Sequence, residues 1–215
     1  MAVNLIAQIE ARPDTVDDVK VLMDEYAAHV LSMEGSDRFE VYRDKDIPTR
    51  IVIIEQYRDD AAFAAMARPF AGDLPDCLEA HWDALAALLR TRIERLGQIP
   101  DEIRFLIEAP AFDAELYVNK RNKVTPEKAA ELLPGMMALL EAVPESDWNN
   151  DALYEKLNAY IEEQGIKKGL AMWVLRIAAA GQKVTPGGAT EILSLLGKKI
   201  SLDRLKKSLA KLQEV

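Results

Sequence analysis

Apolar and polar residues alternate only in the first half of this chain; from Ala111 onward no segment alternates for long. A strand with one buried face needs a period of two, an amphipathic helix a period of 3.6. The change of period therefore predicts a mixed module followed by an all-helical one. Charge changes at the same place. Residues 1–110 carry 12 Lys+Arg against 22 Asp+Glu, a balance of −10, and residues 111–215 carry 15 against 14, a balance of +1. The bases change in kind, from 10 Arg and 2 Lys to 3 Arg and 12 Lys. Two domains follow, 1–110 and 111–215, with separate histories. The acidic module repels nucleic acid; the second need not.

With 215 residues and 49% hydrophobic content, both modules have material for a core. No apolar run approaches the roughly 20 residues of a membrane helix. The start, MAVNLIAQIEARP, has neither the basic flank nor the apolar stretch of a secretory signal. Cys77 is the one cysteine, so no disulfide forms within a chain, which fits a reducing cytoplasm. A Gly-rich phosphate loop and a Cys/His cluster are both missing, so no cofactor and no metal are predicted.

The first module reads β–α–β–β–α–α–β. Val3 to Arg12 alternates and stops at Pro13. Thr15 can cap a helix whose apolar positions are Val16, Val19, Met23, Tyr26, Ala27 and Val30. Phe39 to Arg43 and the β-branched run Arg50 to Tyr57 form a hairpin. Asp59 or Asp60 starts a short helix, and a longer one runs from about Asp76 to Leu96 through Leu78, Trp82, Leu85, Leu89 and Ile93. Glu102 to Glu108, EIRFLIE, supplies the last strand. Helices set between strands, with one hairpin, predict an α+β ferredoxin-like sheet covered on one face.

The run RFEVYRDKDIPTRIVIIEQYRDDAAFAAM, residues 38–66, resembles the antibiotic biosynthesis monooxygenase (ABM) family in order, spacing and wording. The resemblance covers about residues 2–109. It implies a dimeric α+β barrel of two sheets packed face to face. It also implies an apolar pocket between sheet and helices, where some members oxidise quinols or polyphenols without a metal and relatives degrade haem. The residues of that chemistry carry over poorly. Met66 and Arg68-Pro69-Phe70 stand where many members have histidines. Of the haem-degrading set only His81 has a match, in Glu79-Ala-His-Trp82; Gln8 and Ile9 replace an Asn, and Met66 a Trp. His29 and Trp82 read as ordinary helix residues, and Cys77 has no basic neighbour in sequence to activate it. The first module therefore reads foremost as a scaffold and homodimer, with His81 its weak catalytic candidate.

The second module reads as five helices in about 105 residues, a small bundle. Thr125-Pro126 opens the first, with Ala129, Leu132, Leu133, Met136, Met137 and Leu140 inward. Asn149 or Asn150 caps the second, which ends at Gly165; the third runs from about Lys167 to Ala180. After the loop GQKVTPGG (181–188), Ala189 to Leu196 is a helix ended by Gly197, and Ser201 caps the last.

Three stretches, ELYVNKRNKVTPEKA (115–129), residues 150–199 and SLDRLKKSL (201–209), resemble the C-terminal anticodon-binding domain of bacterial glutamyl-tRNA synthetases over about residues 112–212. This implies a helical cage for splayed anticodon bases, hence tRNA or a tRNA-like RNA as partner. The family's LRxA arginine and Ser/Thr-Pro-Gly loop match Arg176 and Thr185-Pro186-Gly187-Gly188. Splayed bases are read by stacking, by arginine and by close backbone groups, an approach that glycine permits. By itself the loop reads as a corner between helices; beside the family wording it reads as a base-reading loop. Some members have a larger apolar residue at the place of Gly188. Lys198, Lys199, Arg204, Lys206, Lys207 and Lys211, against Asp203 alone, offer either a phosphate-binding face or a solvated one, and Lys167-Lys168 and Lys120-Arg121 add to both readings.

Neither HIGH-type nor KMSKS-type signature of such a synthetase occurs in the sequence, and DRLKKSL lies within an amphipathic helix. Two functions follow: an RNA-binding protein carried by an ABM-like dimer module, or a cofactor-free monooxygenase or haem-binding protein with a helical accessory. A third reading makes either half an oligomerisation partner.

Overall fold

The structure, a computed structural model, describes residues 2–214. It contains two compact units: residues up to 73 together with 81–102, and residues 74–80 together with 103 onward.

In the first unit, β1 (Val3–Glu10), α1 (Val16–Leu31), β2 (Ser36–Arg43), β3 (Arg50–Tyr57) and α2 (Asp60–Ala67) follow in chain order. The strands form one antiparallel sheet, β1-β3-β2, with Val3 opposite Tyr57 and Tyr42 opposite Val52. Alternation sends Val3, Leu5, Ala7, Ile51, Ile53 and Tyr57 inward. Val16 and Val30 of α1 join Ala7, Phe39, Ile51 and Ile53 in one core cluster. The outer face keeps Ile6 and Tyr42 exposed, at 54% and 47%. Asp59 caps α2 by accepting from the Ala62 N–H, as its residue type predicts. Thr15 makes no such cap on α1.

The expected long helix from Asp76 to Leu96 is broken. α3 (Asp76–Glu79), in the second unit, and α4 (Trp82–Leu89), in the first, are separated at His81, whose φ of −117° is not helical. Trp82 is core, its Nε1–H donating to the Ala64 carbonyl at 2.8 Å.

The expected strand Glu102–Glu108 is instead part of a helix, α5 (Ile99–Ile107). Its buried residues, Ile99, Ile103, Phe105 and Leu106, include the i, i+4, i+7 positions of one helix face. Pro100 sits in the first turn with Asp101 and Glu102, where proline loses no hydrogen bond and acids favour the dipole. The sheet among the described residues therefore has three strands; the α+β, ferredoxin-like character with helices on one face stands.

The second unit is helical. After a 3-10 turn at Ala114–Tyr117 come α6 (Pro126–Ala142), α7 (Asn150–Glu163), α8 (Lys168–Ala180) and α9 (Ala189–Gln213). Thr125 and Asn149 cap α6 and α7 through the N–H groups of Lys128 and Ala152. Leu133, Met136 and Leu140 of α6, Leu153 and Leu157 of α7, Val174 and Ile177 of α8, and Ile192 and Leu205 of α9 fill the core. Gly181 ends α8 at φ 64°, and a Cβ there would lie 2.3 Å from Pro110, so both conformation and space demand glycine. Gly197, at φ 73° and outside helical geometry, divides α9 into two helices at the place where the sequence ended one. Ser201 does not cap a new helix; it is buried within α9 and donates to the Leu193 carbonyl.

Candidate nucleic-acid interface

α8 and the loop after it meet at a small cleft of about 140 Å³, lined by Asn122, Gly169, Met172, Trp173, Arg176, Gly188 and Ala189. The geometry is fixed from below. Trp173 donates its indole N–H to the Tyr117 carbonyl at 2.9 Å, which sets the ring. The guanidinium carbon of the half-buried Arg176 lies 4.9 Å from the centroid of that ring, a cation–π contact. Gly188 also lines the cleft.

The loop is braced by its own polar atoms. Thr185 is buried and donates to the Gly187 carbonyl at 2.8 Å; Pro186 is buried too. Gly187 takes φ 97°, a backbone state that side chains disfavour. The Gly188 N–H donates to Glu191 at 2.6 Å, tying the loop's end to the first turn of α9. A Cβ on Gly188 would meet only that carboxylate, at an ordinary 3.5 Å, so a larger residue would fit there. Of the loop residues singled out by sequence, Gly188 shares the cleft with Arg176, while Thr185 and Pro186 shape the turn.

The basic run on α9 is largely occupied. Lys198 donates to the Glu141 and Val143 carbonyls at 2.9 and 2.6 Å, satisfying the end of α6. Arg204 is 3% exposed and donates to the carbonyls of Phe105, Leu106, Glu108 and Ala179. Burial pulls its guanidinium below the ordinary arginine value. Lys206, Lys207 and Lys211 form exposed ion pairs with Glu141, Asp203 and Glu214. Such pairs contribute little and exchange readily with other anions. Lys199 is exposed. Lys168 packs its ammonium 4.2 Å from the Tyr154 ring centroid.

In the first unit a second cavity of about 280 Å³ opens between sheet and helices, with Met23, Tyr26, Phe39, Ile53, Met66 and Phe70 among its walls. Its ionisable groups are Glu55, Tyr57 and Tyr26, and the Tyr57 hydroxyl donates to the Glu55 carboxylate. Period two in RIVIIEQY already places Glu55 on the inward face with Ile51, Ile53 and Tyr57, a signal the motif reading passed over. His81 is exposed at the start of α4 and does not line this cavity.

Desolvation raises the Glu55 pKa, more than the Tyr57 hydrogen bond lowers it. A raised native value means that Glu55 supports folding fully below the unfolded glutamate range. That support is lost as pH rises through the native value. Glu55→Gln is therefore expected to raise the melting midpoint at pH 7 and to lose that advantage below the usual glutamate range. Thermal melts of both proteins across pH 3.5–7.5 check the sign.

Comparison with known proteins finds two matches that meet near residues 62–68, well before the expected boundary at residue 110. The antibiotic biosynthesis monooxygenase model matches residues 2–68. A glutamate–tRNA ligase of Clostridium botulinum (strain Eklund 17B / Type B) is 41% identical over 125 residues, 58% of this chain and 26% of that protein. One from Clostridium acetobutylicum is 36% identical over 130 residues, 60% and 26% of the two chains. The chain thus spans about a quarter of the length of the curated relatives it matches. The fold matches the crystal structure of a glutamate tRNA ligase from Elizabethkingia meningosepticum, with a TM-score of 0.59 at 19% identity, over 71% of this chain and 29% of that one. The anticodon binding domain model matches residues 62–209, more than half of the sequence, and the chain belongs to that family, with an antibiotic biosynthesis monooxygenase domain ahead of it.

Proposed function

We propose that the chain binds tRNA, or a tRNA-like RNA, within residues 111–215, with the anticodon bases at Arg176, Gly187 and Gly188. The observation that carries this is the cleft that Arg176, Trp173 and Gly188 share. It offers an aromatic ring, an arginine plane and bare backbone to an unstacked base. Thr185 and Pro186 act by holding the loop's shape. Lys199 adds a phosphate contact from the exposed start of α9's second segment; Lys198 acts through α6, whose last carbonyls it occupies.

Residues 1–110 serve as a homodimer module. The support is the outer sheet face, where Ile6 pairs with Ile54 and Tyr42 with Val52, leaving apolar area for a second copy. No helix among the described residues is long and apolar enough to cross a membrane; a cytoplasmic place belongs to the proposal.

Electrophoretic mobility shifts with unfractionated tRNA, titrated with salt, test the main reading. A retarded complex at low salt that weakens linearly in log salt is expected. An isolated anticodon stem–loop should compete with it, and a bare double helix should not. The absence of any shift at low salt overturns it.

A second reading rests on the Glu55–Tyr57 cavity, a largely apolar space with one acid, Glu55, and two phenols, Tyr26 and Tyr57. It fits a small phenolic molecule, as in cofactor-free quinol oxidation. Quinol consumption by the protein that ceases in Glu55→Leu supports it; no turnover and no saturable binding exclude it.

A further inference from the structure

A larger groove, about 540 Å³, adjoins the base cleft on the same helical unit. Its walls come from α6 (Lys128, Leu132, Gly135), from Tyr160 and Gln164 at the end of α7, from the Gly165–Lys167 turn, and from the turn bearing Asn122 and Lys123. Gly135 lets Tyr160 pack close to α6, since a Cβ there would clash with the Tyr160 hydroxyl. Lys123, Lys128 and Lys167 face the groove, against the single acid Glu131, which pairs with Lys128 at 2.8 Å. Lys123 and Lys167 are exposed, as are Lys120 and Arg121 on the same turn.

Asn122 lines both depressions. Residues 119–124 are closed by a bridge between Asn119 and Val124. Gly169 of α8 lets this turn come close, since a Cβ there would sit 3.1 Å from Asn122 Oδ1. The turn thus forms a low divider. On one side lie a ring, an arginine and bare backbone; on the other lie lysines and a tyrosine. A basic track next to a stacking platform is what a single nucleic acid strand requires.

We propose that this groove is a second RNA subsite, which takes the sugar–phosphate of a nucleotide flanking the bases held at Arg176, with Lys123 and Lys167 on its phosphate oxygens. The inference rests on the reading of the Arg176 cleft as a base site. The groove supplies affinity without sequence preference, because phosphates carry no sequence.

The test is fluorescence anisotropy of labelled unfractionated tRNA with the full chain, over a salt series. Each single-strand phosphate contact contributes about 0.7 to the slope of log affinity against log salt. Lys123→Gln with Lys167→Gln should flatten that slope by about 1.4 and weaken binding about 25-fold at 0.1 M salt. Arginine at both positions should restore slope and affinity. Lys206→Gln with Lys207→Gln, on α9, should leave both unchanged. Circular dichroism confirms that each variant is folded. An unchanged slope in the folded Lys123/Lys167 double variant, with the wild type binding, overturns this subsite alone. An equal loss in the Lys206/Lys207 variant also overturns it, since the effect is then general charge. A wild type that binds no tRNA overturns the base-site reading, and this one with it.

Discussion

Arg204→Met is expected to destabilise the helical unit by about 3–5 kcal/mol, a large share of the stability of an ordinary domain. The side chain is 3% exposed, and its two terminal nitrogens serve four backbone carbonyls. Phe105, Leu106 and Glu108 lie at the end of α5 and just beyond it, and Ala179 in the last turn of α8, where helices leave carbonyls without internal partners. One guanidinium therefore caps two helix ends. Methionine fills the space but donates nothing, and each buried carbonyl left bare costs about 1–3 kcal/mol. Water can relieve Glu108, which is exposed, so the sum falls short of four full penalties. Arg204→Lys should recover only part, because an ammonium cannot span the fork. Lys207→Ala makes the contrast: its exposed pair with Asp203 should be worth less than about 1 kcal/mol. Urea unfolding followed by helical dichroism measures all three. A shift below about 1 kcal/mol for Arg204→Met would sink the capping role.

That role could not be read from the sequence. Arg204 stands among lysines on an amphipathic helix, and the carbonyls it serves lie up to 99 residues away. Lys198 is hidden in the same way by partners 55 and 57 residues distant. Features set by local chemistry were legible. Thr125 and Asn149 cap the helices they precede, Gly165 and Gly181 take positive φ at helix ends, and Gly197 breaks α9. EIRFLIE misled because its apolar residues satisfy two periods. Ile103 and Phe105 suit a strand, while Ile99, Ile103 and Leu106 suit a helix; Pro100-Asp-Glu, a helix start, decides for the second. Family wording singles out Arg176 and the glycine loop as candidates, but the cleft that Arg176 shares with Gly188 could not be read from it. It depends on Trp173 being fixed by Tyr117, a contact across 56 residues.

Arg176→Ala is expected to weaken tRNA binding roughly 5- to 150-fold, the range for losing one stacked base contact of about 1–3 kcal/mol. The guanidinium already rests against the Trp173 ring when a base arrives, so less side-chain entropy is lost on binding. Two explanations of a loss must be separated. If Arg176 acts as a point charge, Arg176→Lys restores affinity and the salt slope together. If it acts through its plane and its forked donors, lysine restores the slope but leaves affinity near that of alanine. The second outcome is expected, because Arg176 both packs against the Trp173 ring and lines the cleft. Trp173→Leu should then mimic Arg176→Ala in part, by freeing the arginine rather than removing it. Binding by Arg176→Ala within twofold of wild type would place the bases elsewhere on the helical unit.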